Sequence, residues 1–366
     1  MFGTVLTVAV SLLQAYVFWR LAALSSFARR KPRVALAIVG LLLWSIFVAG
    51  RYFERGSASW LTAAFESVGM IWMVVLFLTA VCLLAVDVVT GIGIFFAPAV
   101  PRLRGAAMAV GALLSVVAYV QGHRSPIIES YTVPLAGLPP ELEGKTIVAI
   151  SDLHLGSTLN GTWLAARVQQ VMAERPDMIV LLGDIVEGHG EPDGNLSAIL
   201  RGLAAPLGVW GVPGNHESHG PAAGNGVVLA GAGIHVLRNA WTEIRPGLVL
   251  AGVDDLSSAG PDERVVASLT ETLQRRPHAA TILLSHAPVG ADFAAAQGVA
   301  LMLSGHTHGG QIWPFSYLVR LRFPLLDGRY EVGGMTVIVC RGTGTWGPRM
   351  RLWSASSILR ITLRRA

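Results

Sequence analysis

The chain has 366 residues, a mean hydropathy of +0.55 and 14% charged residues. This composition excludes a chain that is soluble throughout, because soluble proteins carry about a quarter charged residues. The net charge of +5 is uneven, since residues 1–125 carry ten basic and three acidic residues, whereas residues 126–366 carry 18 and 20. The basic excess therefore belongs to the apolar first third, and we expect no nucleic-acid partner.

Four apolar stretches in the first third predict transmembrane helices. They lie at about 4–24, 34–50, 67–86 and 105–120. A bilayer needs ~20 apolar residues per helix and ~17 as a lower limit, so the first and third stretches are long enough and the other two are short. The run 88–100 is either an extension of the third helix or a re-entrant piece. A cleaved signal peptide is disfavoured, because no basic residue precedes the first stretch.

The basic residues between these stretches predict the orientation of a multi-pass protein in the cell membrane. On one side of the membrane lie six basic residues, four directly after the first stretch and two directly before the fourth. On the other side lie three, two directly after the second stretch and one directly after the fourth. The positive-inside rule then places both chain ends, and everything after the fourth stretch, on the extracytoplasmic side.

The pattern changes after residue 122, so we assign residues 1–122 to a helical membrane domain. Four prolines between 126 and 140 predict an extended linker over 123–143, because proline resists helix interiors and central strands. Strand-like and helix-like runs then alternate, which predicts a layered α/β domain over 144–366. The strand-like runs are 146–151, 178–182, 208–212, 248–253, 281–285, 300–304 and 335–340, and the helix-like runs are 162–174 and 261–275.

Five of the predicted strands run into residue types that bind metals. In chain order these residues are Asp152 and His154, Asp184, Asn215, His286, and His306 and His308. Ligands bind beyond the carboxyl ends of strands in α/β sheets, so we expect the five clusters to converge. Their carboxylates, imidazoles and amide oxygen suit Mn, Fe or Zn. The two pairs at i, i+2 are expected to point the same way from extended segments.

Each cluster alone has an ordinary structural explanation. Gly183-Asp184 is compatible with a simple turn, and Asn215 with a helix cap. All five clusters nevertheless occur in order, each at the end of a predicted strand. Their combination favours a metal centre.

The series Asp152-x-His154, Gly183-Asp184, Gly214-Asn215-His216-Glu217, His286 and Gly305-His306-Thr307-His308 resembles the calcineurin-like metallophosphoesterase superfamily. The resemblance covers about residues 145–345, and the chain also resembles the branch that carries transmembrane helices before the domain. It implies a four-layer α/β fold, in which two mixed β-sheets pack face to face with helices outside.

The resemblance also implies roles for single residues. One divalent ion would be held by Asp152, His154 and His308, a second by Asn215, His286 and His306, and Asp184 would bridge both. His216 would act as a proton donor or a charge stabiliser and not as a ligand, so that His216 and Asp184 are the predicted catalytic residues. Two such ions hold a bridging hydroxide for in-line attack at phosphorus. Glu187 stands where relatives often carry Asp, and its role is left open.

The predicted function is a membrane-anchored, metal-dependent hydrolase of phosphodiester, phosphomonoester or pyrophosphate bonds. Anchoring at the bilayer favours lipid-linked or envelope substrates, such as a phospholipid or glycolipid, and a role in lipid metabolism. The alternative is a non-catalytic membrane sensor or scaffold that contains metal, but such a protein would not need the proton donor His216. Transport is poorly supported, because the acids of the apolar stretches, Glu66 and Asp87, lie near their ends. The oligomeric state is not predicted.

Several other residues have two interpretations each. Asp254 and Asp255 could orient a ligand histidine, and Arg341 and Arg349 either bind phosphate or pair with surface acids. His189 either reaches substrate or is an ordinary loop histidine. The apolar, aromatic stretch 313–326 is core, a lid, or a contact with membrane or substrate.

Overall fold

The computed structural model describes residues 2–24, 29–53, 60–156, 158–187, 196–218, 225–258 and 262–366. It contains two compact units. The first comprises Met1–His123 and Gly347–Leu352, and the second comprises Arg124–Trp346 and Trp353–Ala366.

The first unit is helical. Its helices are α1 (Phe2–Ala22), α2 (Arg30–Phe53), α3 (Trp60–Val89) and α4 (Val100–Gly122). All four are long and apolar enough to cross a membrane, which confirms the prediction of four such helices. The second and fourth are longer than their apolar stretches because their polar flanks continue the helix. After α3, the chain forms a 3-10 turn at Gly91–Gly93, so the run 88–100 is not one continuous helix.

Asp87 is the main buried acid of the helical unit. Its carboxylate accepts a hydrogen bond from the Tyr16 hydroxyl at 2.7 Å and pairs with Arg20 at 2.7 Å and Arg104 at 2.9 Å. A buried acid in an apolar helix needs such partners. These contacts bind α3 to α1 and α4, so the burial of Asp87 is explained by helix packing.

The second unit is built on two six-stranded sheets. Its strands are β1 (Ile127–Leu135), β2 (Thr146–Ile150), β3 (Met178–Leu181), β4 (Val209–Gly211), β5 (His235–Val236), β6 (Ala240–Arg245), β7 (Leu248–Gly252), β8 (Ala280–Leu284), β9 (Leu301–Ser304), β10 (Gly328–Val332), β11 (Met335–Val339) and β12 (Ser357–Arg365). Sheet 1 has the order β1-β12-β2-β3-β4-β5, and sheet 2 has the order β10-β11-β9-β8-β7-β6. Each sheet combines parallel and antiparallel pairs, so both are mixed as predicted.

Seven helices accompany these sheets in the described residues. They are α5 (Gly161–Ala173), α6 (Leu196–Leu200), α7 (Asn215–Ser218), α8 (Asn225–Gly231), α9 (Asp262–Leu273), α10 (Ala291–Ala296) and α11 (Phe315–Arg322).

Strand alternation produces the four layers. In β2, Ile147 faces a core shared with Leu250 and Ile282 of sheet 2, whereas Val148 faces a second core with Leu164 of α5. Successive side chains of a strand point to opposite faces, so each sheet is buried on both sides. Helices α9 and α10 cover the outer face of sheet 2. The predicted four-layer arrangement is confirmed.

One segment differs from its prediction. The structure places strand β1 (Ile127–Leu135) inside the predicted linker 123–143, where it pairs in parallel with β12. Strand β1 lies at the edge of sheet 1, and an edge strand tolerates proline such as Pro134 because one side needs no ladder bonds. The prolines therefore mark an edge strand there rather than an unpaired linker.

Candidate metal centre

The structure brings all seven predicted metal ligands together in space. They follow the carboxyl ends of β2, β3 and β4 in sheet 1 and of β8 and β9 in sheet 2. Contacts of 3.8 Å or less between side-chain atoms connect the whole set of Asp152, His154, Asp184, Asn215, His286, His306 and His308. Their role as ligands remains a prediction, for which the geometry below is the support.

The first group consists of Asp152, His154 and His308. The Nε2 atoms of the two histidines lie 3.1 Å apart, and His308 Nε2 lies 3.5 Å from Asp152 Oδ1. All three side chains are buried. Two ring nitrogens and a carboxylate oxygen that converge in this way form a donor set that suits a divalent transition metal.

The second group consists of Asp184, His286 and His306, with Asn215 beside them. His286 Nε2 lies 3.2 Å from Asp184 Oδ2, 3.1 Å from His306 Nδ1 and 3.0 Å from Asn215 Oδ1. Asp184 Oδ2 is also 3.8 Å from His154 Nε2 of the first group. The Asp184 carboxylate thus lies between the two groups, in the position that a bridging ligand requires.

Hydrogen bonding fixes which nitrogen of His286 is available. Its Nδ1 lies 2.7 Å from the carbonyl oxygen of Leu182, which can only accept, so Nδ1 carries a proton and Nε2 can offer a lone pair. Burial lowers the pKa of His286, but the charges of Asp184 and Asp152 raise it to about 10. A proton and a cation compete for Nε2, and metal binding is expected to release a proton.

The backbone of the site is strained. Five predicted ligands have positive φ, with 54° at Asp152, 47° at His154, 52° at Asp184, 70° at His306 and 51° at His308. The expectation that the two i, i+2 pairs lie on extended segments is therefore wrong. Left-handed backbone at non-glycine residues costs about 1–3 kcal/mol each and concentrates at functional sites. The surrounding structure holds these residues in strained conformations, and in them the side chains converge.

Glu187 connects the first group to the predicted proton donor. One carboxylate oxygen lies 2.7 Å from His154 Nδ1, and the other lies 2.8 Å from His216 Nδ1. Burial lowers the pKa of His216, but the bond to Glu187 and the charge of Asp184 raise it to about 9. With Nδ1 bound to Glu187, protonated His216 can donate from Nε2. The Glu187 side chain, which is longer than the Asp of many relatives, thus reaches two imidazoles at once. We therefore assign to Glu187 the role of orienting His154 and His216.

Glu217 has a role that the sequence pattern did not reveal. Its Oε2 accepts hydrogen bonds from the backbone N–H groups of Asp184 and Gly214, both at 2.8 Å. Its Oε1 accepts from those of Ile185 at 2.6 Å and Val186 at 3.1 Å. One partly buried carboxylate therefore joins the loop after β3 to the loop after β4. The Gly-Asn-His-Glu motif was the available signal, but the partners of its last residue lie on another strand.

Within the described residues, the remaining candidates are not part of the converging set. Asp254 pairs with Arg238 at 2.9 Å, and Asp255 accepts from the Ser257 hydroxyl at 2.6 Å. Arg341 pairs with two acids, Glu129 at 3.0 Å and Asp327 at 3.1 Å, as the surface interpretation expected. Arg349 belongs to the segment Gly347–Leu352 of the helical unit. His189 lies outside the described residues.

The tight packing around Asp184 leads to a prediction for Gly214. A Cβ atom added at Gly214 would overlap Asp184 Oδ1 and lie 2.8 Å from Asp184 Cγ. We expect Gly214→Ala to displace the carboxylate and to lower metal content and hydrolysis about 10–100-fold, as when a ligand loses its support. Elemental analysis and an esterase assay measure both. Gly231→Ala is the control, because its Cβ would meet Ser197 Oγ only at 3.4 Å. Wild-type metal content in Gly214→Ala would contradict the proposed position of Asp184.

The chain is similar to several known proteins. Residues 145–310 match the family model for calcineurin-like phosphoesterases. A Bos taurus protein named transmembrane protein with metallophosphoesterase domain is 33% identical over 278 residues, which cover 71% of this chain and 62% of that protein. An Aquifex aeolicus protein named uncharacterized metallophosphoesterase is 36% identical over 65% of this chain and 91% of its own length.

Among solved structures, a dimetal phosphatase from Danio rerio is 16% identical with a TM-score of 0.32, over 55% of this chain and 88% of that one. The chain spans 62% of the length of the Bos taurus relative. The match to the Aquifex aeolicus protein extends over nearly all of that protein. The chain therefore belongs to the calcineurin-like phosphoesterase family.

Proposed function

We propose that this chain is a membrane-anchored hydrolase of phosphate esters that holds two divalent metal ions. The observation that carries the proposal is the position of Asp184, whose carboxylate lies within 3.8 Å of a histidine from each group. We assign Asp152, His154 and His308 to one ion, Asn215, His286 and His306 to the other, and Asp184 to both. The mixture of carboxylate, imidazole and amide donors favours Mn, Fe or Zn.

The side chains divide the chemistry between them. The bound ions would polarise the phosphoryl oxygens and supply a strong nucleophile at neutral pH. His216 donates a proton from Nε2 to the departing oxygen, and Glu187 fixes the ring through Nδ1. The backbone N–H of His216 donates to Asp184 Oδ1 at 2.8 Å, so the proton donor and the bridging carboxylate keep a fixed separation.

A metal-exchange experiment on the full chain tests this function. The purified protein in detergent is stripped with a chelator and assayed with bis-p-nitrophenyl phosphate before and after addition of Mn²⁺, Zn²⁺ or Mg²⁺. We expect the stripped protein to be inactive and Mn²⁺ or Zn²⁺ to restore turnover. Metal binding without hydrolysis of any phosphate ester would favour the sensor or scaffold instead.

The leaving group distinguishes the two roles that His216 can have. An alkyl ester leaves as a basic alkoxide and needs a proton, whereas p-nitrophenolate leaves without one. We expect His216→Gln to keep its metal and to lose ~10²–10⁴-fold in rate on an alkyl phosphodiester, but far less on the nitrophenyl ester. Equal losses on both substrates would make His216 a charge stabiliser and not an acid.

The membrane anchor supports a lipid-borne substrate. Four residues, 123–126, separate the end of α4 from the start of β1, so the catalytic domain is tethered close to the bilayer. Tethering raises the effective concentration of substrates in the membrane, such as a phospholipid or glycolipid head group. We further propose that the chain crosses the membrane four times and that its catalytic domain is extracytoplasmic. A reporter fused after Ala366 that is active only in the cytoplasm would contradict this topology.

A further inference from the structure

Helix α11 (Phe315–Arg322) exposes large apolar side chains next to the proposed active site. Tyr317, Leu318 and Leu321 are 63%, 57% and 82% exposed, and none of the residues of this helix is buried. The spacing i, i+1, i+4 places the three side chains on one side of the helix. The core interpretation of the stretch 313–326 is therefore wrong for α11, although Leu326 is buried.

Helix α11 carries positive charge only. Its sequence, FSYLVRLR, contains two arginines and no acidic residue. Arg320 and Arg322 lie in its last turn. A short helix with exposed Leu and Tyr on one side and arginines beside them has the composition of a segment that lies in the interface of an anionic membrane.

Aromatic side chains extend this surface beyond the start of α11. The rings of Trp313 and Trp353 lie 5.0 Å apart, and Trp353 is 62% exposed. Tryptophan and tyrosine are enriched at the level of the lipid head groups, because one part of each ring system is apolar and another forms hydrogen bonds.

We propose that α11 inserts its Tyr317, Leu318 and Leu321 face into the head-group region of an anionic phospholipid bilayer. The chain carries four helices that are long and apolar enough to cross a bilayer, so the proposed anchor keeps α11 at a lipid surface. Insertion removes the exposed leucines from water, and Arg320 and Arg322 can extend to lipid phosphates while their stems stay in the apolar layer. The occupant is the lipid surface and not a second protein.

This contact has a consequence for catalysis, which rests on the proposed function. Helix α11 follows the metal motif after four residues, since the 3-10 turn that contains His308 ends at Gly310. Directly after α11, the ring of Phe323 packs against the ring of His306 at 4.8 Å. A lipid surface bound to α11 therefore brings phosphate head groups beside the second group of predicted ligands.

Site-directed spin labelling tests the contact without reference to activity. The full chain carries a label at Leu321→Cys or, as control, at Val266→Cys, in a Cys82→Ala background with the buried Cys340 retained. Val266 is an exposed apolar residue of α9, whose Val265 and Leu269 face the core. The protein is reconstituted in vesicles of phosphatidylcholine with or without phosphatidylglycerol, and collisions with oxygen and with a water-soluble nickel chelate are compared.

We expect the label at 321 to be accessible to oxygen and shielded from nickel, more so with phosphatidylglycerol, and the label at 266 to be accessible to nickel. A label at 321 that is equally accessible to nickel would overturn the proposal. A label shielded from both reagents would also overturn it, because it would indicate contact with protein.

A second measurement connects the surface to turnover. We expect Leu318→Glu with Leu321→Glu to lower hydrolysis of a phosphodiester lipid in vesicles by at least about tenfold, since two leucines lose their transfer into lipid. Hydrolysis of soluble bis-p-nitrophenyl phosphate should stay at the level of the Val266→Glu control. If the label at 321 inserts but neither substrate is cleaved, the proposed function fails and the membrane contact stands. If hydrolysis of both substrates is unchanged and the label is in water, the contact fails and the function stands.

Discussion

Asp184→Ala is expected to lose both metal and activity. Its carboxylate is the side chain that both histidine groups share, through Oδ2 at 3.2 Å from His286 and 3.8 Å from His154. In the proposed two-ion site, removing it would take one ligand from each ion. Loss of a single electrostatic stabiliser costs ~10²–10³ in rate, so we expect a decrease of at least about 10³-fold on bis-p-nitrophenyl phosphate. Elemental analysis of the purified full chain should show fewer than two bound ions.

Asp254→Ala is the matched control for this variant. Asp254 also follows a strand of the domain, but its carboxylate binds Arg238 on the surface. Metal content and turnover should match the wild type, because a single exposed ion pair contributes little. Full activity in Asp184→Ala, or equal losses in both variants, would refute the two-ion site.

Glu217→Ala is expected to lower the thermal stability of the domain strongly. Four backbone N–H groups, of Asp184, Ile185, Val186 and Gly214, would lose their acceptor. A buried donor without a partner costs about 1–3 kcal/mol, and the four share one site, so we expect a total above ~4 kcal/mol. For a domain of this size that lowers the midpoint of thermal unfolding by about 10 °C or more.

The unfolding measurement is made with and without chelator, so that a stability loss caused by metal release is separated from one caused by the missing hydrogen bonds. Glu243→Ala serves as control, because its carboxylate accepts one exposed backbone hydrogen bond, from Gly247 at 3.0 Å. If Glu217→Ala unfolds like the wild type in chelator, the carboxylate does not join the two loops as described.

The local sequence pattern was sufficient to predict the buried strands of both sheets. Strands such as β2 and β8 are covered on both faces, so they are continuous apolar runs that the sequence displays directly. The four apolar helices are equally visible, because a helix that can cross a bilayer needs a run of about 20 apolar residues, which the sequence displays directly. The α11 region was less predictable, since an apolar helix that faces lipid has the same residue types as one that faces a core.

Strands β1 and β12 could not be predicted from local pattern. Their pairing joins Ile127 to Ser357 and Leu135 to Arg365, across more than 200 residues of chain. Arg360, Arg364 and Arg365 also make the sequence of β12 look like that of an exposed segment, although β12 lies inside sheet 1 between β1 and β2. Pairing over such a distance depends on the whole sheet, which no short window of sequence contains.

The residue types of the predicted metal ligands could be predicted from the sequence. The backbone conformations and hydrogen bonds that hold these ligands in place could not. Asp152 and the other predicted ligands could be identified because each ends a strand and the motif series is distinctive. Their left-handed backbone, the bond of Glu187 to two imidazoles and the four bonds of Glu217 depend on how loops meet in three dimensions. A carboxylate that binds backbone N–H groups has no partner side chain that a sequence pattern could show.

Both groups of predicted ligands draw residues from both sheets. Asp152 and His154 follow β2 of sheet 1, whereas His308 follows β9 of sheet 2; likewise Asp184 follows β3 and His286 follows β8. A cation in either group would therefore act as a cross-link between the two halves of the sandwich. Ligands that bind only the folded state raise its stability by mass action, so a metal-supplemented sample should resist heat and protease better than a chelated one. Scarcity of the metal in the cell would then limit how much of the protein survives, in addition to how fast each molecule turns over.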